Sequence, residues 1–375
     1  MLSFVSGALT GAGFGVVLYK VGATRYSRVM GMVTLRDTKV MKFAFTAIAV
    51  ASLCYGLAAT TGLATSLHLV PRTMPFLGWA HVLGGVLFGV AMGVSGLCPG
   101  TCVAKFGGRG GATKWQTPAA IAGLFAGVLA YDVLKAPLTD AGIIAVNQKA
   151  LTVPGVLGLP YGAVALLFGA VMLAVTFAAD RVMPEHSFAP ARAKVSALDW
   201  LRGEWSWAAA GTVGGLLVVL ATAQSGYLGF SGAVLALTGW IAHAVGMPLE
   251  VVPTITDDII WRAALIVGVL PGGMLAAALS LQSKAAVESP LPKVFQPRIV
   301  TKSFFSAGAM SLGAMIGGGC TTGAFISAWP TLSIGSFCMG GTFFAVSMLT
   351  GNGRIYLSKT LDLATAQAEG DRVYD

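Results

Sequence analysis

The sequence predicts an all-α polytopic membrane protein of about nine transmembrane helices, supplemented by short re-entrant helices and arranged as two inverted-topology repeats. Three observations carry this expectation. Of 375 residues, 55% are hydrophobic and only 10% charged, with a mean hydropathy of +0.78, whereas a soluble domain holds roughly 25% charged residues. Lys and Arg alternate strongly between successive connections. A glycine-rich apolar run ending in Gly-x-Cys occurs twice, once in each half.

At roughly 20 residues per crossing, nine stretches qualify: 2–19, 43–63, 76–97, 118–135, 155–177, 205–223, 259–281, 304–319 and 332–350. Shorter apolar pieces at 25–35, 98–106, 227–243 and 320–329 follow the first, third, sixth and eighth of them. These are expected to dip into the membrane and return. The piece at 227–243 has 17 residues, so charge must decide its status. With nine crossings, 20 of the 24 Lys and Arg fall on one side. Counting 227–243 as a crossing would divide them almost evenly. Because Lys and Arg accumulate in the cytoplasm, the asymmetry selects nine crossings, an outer amino terminus and a cytoplasmic carboxyl terminus. The net charge of +9 is this bias and implies no nucleic-acid partner. The opening Met1-Leu2-Ser3-Phe4 lacks the basic start of a cleaved signal peptide, so the first span is expected to be retained in the lipid bilayer.

Gly7, Gly11 and Gly15 in the first span, and Gly85, Gly89 and Gly93 in the third, form small faces on which another helix can approach closely. The second half then begins again. Gly211 and Gly215 echo Gly11 and Gly15 at an offset of 200, Gly232 echoes Gly31 at 201, and Cys320 echoes Cys98 at 222. The extra residues fit the longer, Pro-rich and basic connection 281–302. The first and sixth spans are equivalent and an odd number of crossings apart, so the halves should run in opposite directions. The expected organisation is a first repeat over 1–180, a cytoplasmic linker over 181–204, a second repeat over 205–350 and a cytoplasmic tail over 351–375.

The two repeated motifs carry the chemistry. Residues 84–102 read GGVLFGVAMGVSGLCPGTC and residues 313–325 read GAMIGGGCTTGAF. Pro99 should end one helix near Cys98 and open another. A helix that stops within the membrane leaves unpaired backbone N–H groups, and those at a helix amino end attract anions. The candidate substrate path is therefore Cys98, Cys320 and Cys102, with Thr101, Thr321 and Thr322 as hydroxyl donors and Gly96, Gly100, Gly319 and Gly323 shaping the breaks. A thiol is a weak, polarizable partner, suited to a soft sulfur atom that must be passed on rather than held. Cys54 and Cys338 read as packing. His68, His81, His186 and His243 are scattered, so no metal site or cofactor is expected, and no phosphate-binding loop is present. Transport is the leading reading, with no catalytic residues. The alternative is a membrane thiol oxidoreductase cycling Cys98 and Cys102, although their four-residue spacing is awkward for a disulfide within a regular helix. A membrane assembly subunit without a substrate is a third option.

The Gly-rich run into Gly-x-Cys in each half, above all Gly318-Gly319-Cys320-Thr321-Thr322-Gly323, resembles the YeeE/YedE family of sulfur-transport membrane proteins. The resemblance covers essentially residues 2–350. It implies uptake of thiosulfate or a related small sulfur-containing anion across the bacterial inner membrane, with cysteines relaying the substrate through an inverted-repeat fold. For some members it implies a separate small cytoplasmic sulfur-carrier protein as partner. One departure stands out: the family's thiosulfate carriers tend to have a further cysteine just after the first helix. Here that stretch reads Lys20-Val21-Gly22-Ala23-Thr24. Either Cys102 substitutes for it or the substrate differs.

Overall fold

The computed structural model describes residues 1–107, 115–146, 149–185, 200, 202–224, 226–280 and 297–373. Among them the regular elements are all helices, and no strand forms. In order come α1 (Leu2–Lys20), α2 (Tyr26–Val33), α3 (Lys39–Thr60), α4 (Ala80–Ser95), α5 (Pro99–Gly107), α6 (Gln116–Asp140), α7 (Val153–Leu157) and α8 (Tyr161–Val182). The second half holds α9 (Trp207–Ala223), α10 (Phe230–Ala244), α11 (Asp257–Leu279) and α12 (Pro297–Gly317). A π-helix (Thr321–Ser327), a 3₁₀ turn (Trp329–Thr331) and α13 (Ile334–Val373) complete it.

Eight segments among the described residues are long and apolar enough to cross a membrane, with 80–106 counted as one. The ninth expected crossing is α9, whose 17 residues span about 26 Å at ~1.5 Å per residue, close to a hydrocarbon core of roughly 30 Å. Packing directions give an independent test. Along α1, Gly7, Gly11 and Gly15 meet Trp261, Leu265 and Val269 in turn, so α1 and α11 run parallel. Gly211 and Gly215 of α9 meet Thr46 and Ala47 to Val50, so α9 and α3 are parallel too. Likewise Gly85, Gly89 and Gly93 of α4 climb past Thr342, Phe343 and Ser347 of α13, and Gly123 and Gly127 of α6 past Phe304 and Gly308 of α12. Between α4 and α12 the order reverses: Gly84 lies on Gly317, and Gly313 on Phe88. Nine alternating crossings satisfy every one of these relations. Were α10 a full crossing, α11 would oppose α1.

The same pairings define the symmetry. Equating α1 with α9, α3 with α11, α4 with α12 and α6 with α13 turns the α1–α11 contact into α9–α3 and the α4–α13 contact into α12–α6. The equivalent pair α4 and α12 cross each other antiparallel, which is the relation of inverted repeats. Small residues make this possible, since each crossing brings backbone against backbone.

Several boundaries differ from expectation. α4 starts at Ala80 because Met74 and Leu77 ahead of it pack on Gly318 instead of extending the helix. The fifth expected span divides at Gly158, which is left-handed (φ 67°). The helix α13 continues past residue 350 to Val373. Of the expected linker, residues 186–199 and 201 lie outside the described residues, as do residues 281–296. The linker's described ends are tied to the first repeat by ion pairs. Lys39 Nζ lies 2.6 Å from Glu185 and 3.4 Å from Glu204; just before the linker, Lys42 Nζ lies 2.6 Å from Asp180 within the first repeat.

Candidate functional site

Each Gly-x-Cys motif has a local backbone cause. α4 ends at Gly96, whose φ of 62° is left-handed, and α12 ends before Gly318, at φ 89°. Glycine adopts this conformation without the Cβ penalty and so terminates a helix abruptly. In both halves the cysteine follows two residues later. Side chains from elsewhere take up the carbonyls that the breaks expose. Arg354 of α13 donates to the carbonyls of Gly93 and Val94. His81 accepts from the Leu77 N–H through Nε2 at 2.9 Å, which leaves Nδ1 to donate to the Gly317 carbonyl at 2.8 Å.

The two breaks meet. Cys98 Sγ lies 2.7 Å from Thr321 Oγ1 across 223 residues of sequence, and Cys320 is within electrostatic reach of Cys98. Cys98, Cys102 and Cys320 are buried, and all five cysteines are free thiols. The helix α5 opens at Pro99, and its first turn is closed by the Cys102 N–H donating to the Cys98 carbonyl at 2.9 Å. The second break does not form an α-helix. It winds as a π-helix, a form that recurs at functional sites.

The threonines divide. Thr101 is committed locally, accepting from the Cys98 N–H at 3.1 Å and donating to its carbonyl at 2.9 Å. It fixes the break and has no proton to offer a ligand. Thr321 faces Cys98, and Thr322 is buried beside it. The glycines make room: a Cβ on Gly100 would strike the Phe230 ring, one on Gly96 would fall 2.7 Å from the Tyr26 ring, and one on Gly319 would fall 2.8 Å from Ala324 N. Gly323 lies against Gly229, and its carbonyl accepts from the Tyr227 hydroxyl. The re-entrant helices α2 and α10 thus pack on the two breaks, α2 on Gly96 and the start of α10 on both Gly100 and Gly323.

Sequence reasoning missed what lies over this seam. A cavity of about 440 Å³ is lined by Arg72, Arg262, Asp258, His68, Tyr227 and Thr222, among others. Tyr227 forms its floor: Arg72 lies 6.0 Å from its ring centroid, while its hydroxyl reaches the Gly323 carbonyl inside the second break. Arg262 is held by Asp258 through two contacts, at 2.9 and 3.0 Å. Two guanidinium groups against one carboxylate leave the mouth net positive. The signal was present in the sequence, for Arg72 and Arg262 are two of the four basic residues on the side that the charge bias disfavours.

The seam accordingly offers thiols and a hydroxyl in an apolar enclosure, beneath a cationic mouth. Such a site suits a small anion with a polarizable end. Comparison with known proteins points the same way. A protein of Spirochaeta thermophila, the thiosulfate transporter TsuA, is 24% identical over 360 residues, covering 92% of this chain and 97% of that one. The sequence profile of a family described as sulphur transport matches residues 25–351. A match over that much of the chain, encompassing both breaks, makes it a member of the sulphur transport family.

Proposed function

We propose that the protein imports a small sulfur-containing anion, thiosulfate or a close chemical relative, across the bacterial inner membrane along the seam between its two broken helices. The observation that carries this is the 2.7 Å contact between Cys98 Sγ and Thr321 Oγ1. It brings both interrupted helices to one point, and Tyr227 links the second of them to the cationic cavity. Arg72 and Arg262 draw the anion into the mouth, where a positive field between low-dielectric walls raises its local concentration. The Tyr227 hydroxyl and the Gly323 carbonyl connect the mouth to the second break. Cys320, Thr321 and Cys98 then take the sulfur end in turn. Weak thiol contacts suit this, because a transport site must release what it takes up. Cys320 is fully buried, so passage requires the breaks to separate transiently.

The charge bias orients the chain, with the cavity outside and the carboxyl terminus in the cytoplasm. A separate small sulfur-carrier protein on the cytoplasmic side would receive the product. The test is uptake of labelled thiosulfate by cells lacking other sulfur importers and expressing this chain. Uptake should appear with the wild type and fall about tenfold or more with Cys98→Ala or Cys320→Ala, the scale of losing one charge-assisted contact. Uptake undiminished in both variants would overturn the cysteine path.

A further inference from the structure

The re-entrant helix α5 carries a charge that no described residue balances. Four lysines are buried among the described residues: Lys20, Lys39, Lys42 and Lys105. Lys20 has Ser280 at 2.9 Å, Lys39 has Glu185 at 2.6 Å, and Lys42 has Asp180 at 2.6 Å. Lys105 is 8% exposed and makes neither a hydrogen bond nor an ion pair with the described residues. A cation inside a membrane protein without a partner is costly and marks a functional position by default. The last turn of α5, where Lys105 lies, offers the helix dipole as partial compensation only.

Its location is specific. Cys98, Cys102 and Lys105 follow at intervals of four and three residues, which puts them on one face of the helix. Cys102 lies three residues before Lys105 on the same helix, one turn away, and is buried like it. Next to it in sequence, Ala104 packs against Gly273, six residues and therefore about 9 Å from the Leu279 end of α11. Asp258, which lines the cationic mouth, is near the other end of α11. Lys105 thus stands beyond the cysteines, toward the face opposite the mouth.

We infer that Cys102 and Lys105 form a second anion station on the inner side of the Cys98–Thr321 seam. Thiosulfate has a hard, oxygen-rich end and a soft terminal sulfur. The Lys105 ammonium takes the oxygens, the Cys102 thiol takes the sulfur, and the buried charge is neutralised while the anion is bound. This rests on the transport reading above and deepens it.

The experiment uses the full chain in proteoliposomes with labelled thiosulfate. Lys105→Met should lower the maximal rate about tenfold, with the half-saturating concentration within about twofold of wild type, since capture at the mouth is untouched. Lys105→Arg should keep most of the rate. In the wild-type protein, thiosulfate should slow alkylation of Cys102 by N-ethylmaleimide, and Lys105→Met should abolish that protection. A wild-type rate in Lys105→Met overturns the station. So does equal loss in both variants accompanied by a lower melting temperature, which would make Lys105 a helix cap. If the wild type takes up no thiosulfate, the transport reading fails, and the protection of Cys102 still decides the station.

Discussion

The crossing of α4 over α12 holds the two halves together, and Gly84→Ala is the sharpest perturbation of it. A Cβ at this position would lie 2.5 Å from both the Gly313 carbonyl oxygen and the Gly317 Cα. Ordinary contact begins near 3.4 Å, so the helices must part by about 1 Å. The atoms struck are backbone, which cannot swing aside. Overpacking of this kind costs about 1–3 kcal/mol, here toward the upper end. At about 2–4 °C per kcal/mol the melting temperature should drop by about 5–10 °C. Gly341→Ala is the matched control. It lies in α13 with nothing within 4 Å of its Cβ position, and alanine there should be neutral or stabilise by roughly 0.5–1 kcal/mol through helix propensity. Melting of detergent-purified variants, followed by tryptophan fluorescence, measures both. Because α4 and α12 lead directly into Cys98 and Thr321, Gly84→Ala should also lower uptake. A Gly84→Ala protein as stable as the wild type would refute the close crossing.

Two further outcomes follow from the cavity and from the charge bias. Arg72→Gln should raise the half-saturating thiosulfate concentration several-fold at low ionic strength and much less at high salt, because the contribution is long-range attraction that ions screen; uptake kinetics at two salt concentrations measure it. An impermeant maleimide should label Ser66→Cys but not Gly353→Cys in intact cells, and the reverse pattern would invert the proposed orientation.

The membrane scaffold was legible in the sequence because its determinants are local and periodic. The charge alternation selected nine crossings, and the parallel course of α1 and α11 independently requires the same parity. The Gly-x-Cys motifs were legible for a backbone reason, since each glycine is the left-handed residue that stops its helix. Other features needed the fold. Thr101 looked like a donor to a ligand, but its hydroxyl closes on the backbone of Cys98. Arg72 and Arg262 were visible as basic residues on the disfavoured side, but only the fold brings them together with Tyr227 around one cavity. His81 read only as one of four scattered histidines without metal geometry, yet it seals the end of α12. No spacing announces the π-helical winding of residues 321–327, against which Tyr227 and Gly229 pack at Gly323.

The central claim is that the substrate passes between the two breaks, and a single engineered bridge tests it. With Cys98 Sγ 2.7 Å from Thr321 Oγ1, Thr321→Cys puts a second thiol within reach of Cys98, where oxidation can join the halves covalently. Thiosulfate uptake by proteoliposomes carrying this variant should be substantial when reduced, fall to background when oxidised, and return on treatment with dithiothreitol. A Thr321→Cys protein shown by mass spectrometry to hold a disulfide between Cys98 and the introduced thiol, yet transporting at the reduced rate, would contradict the account.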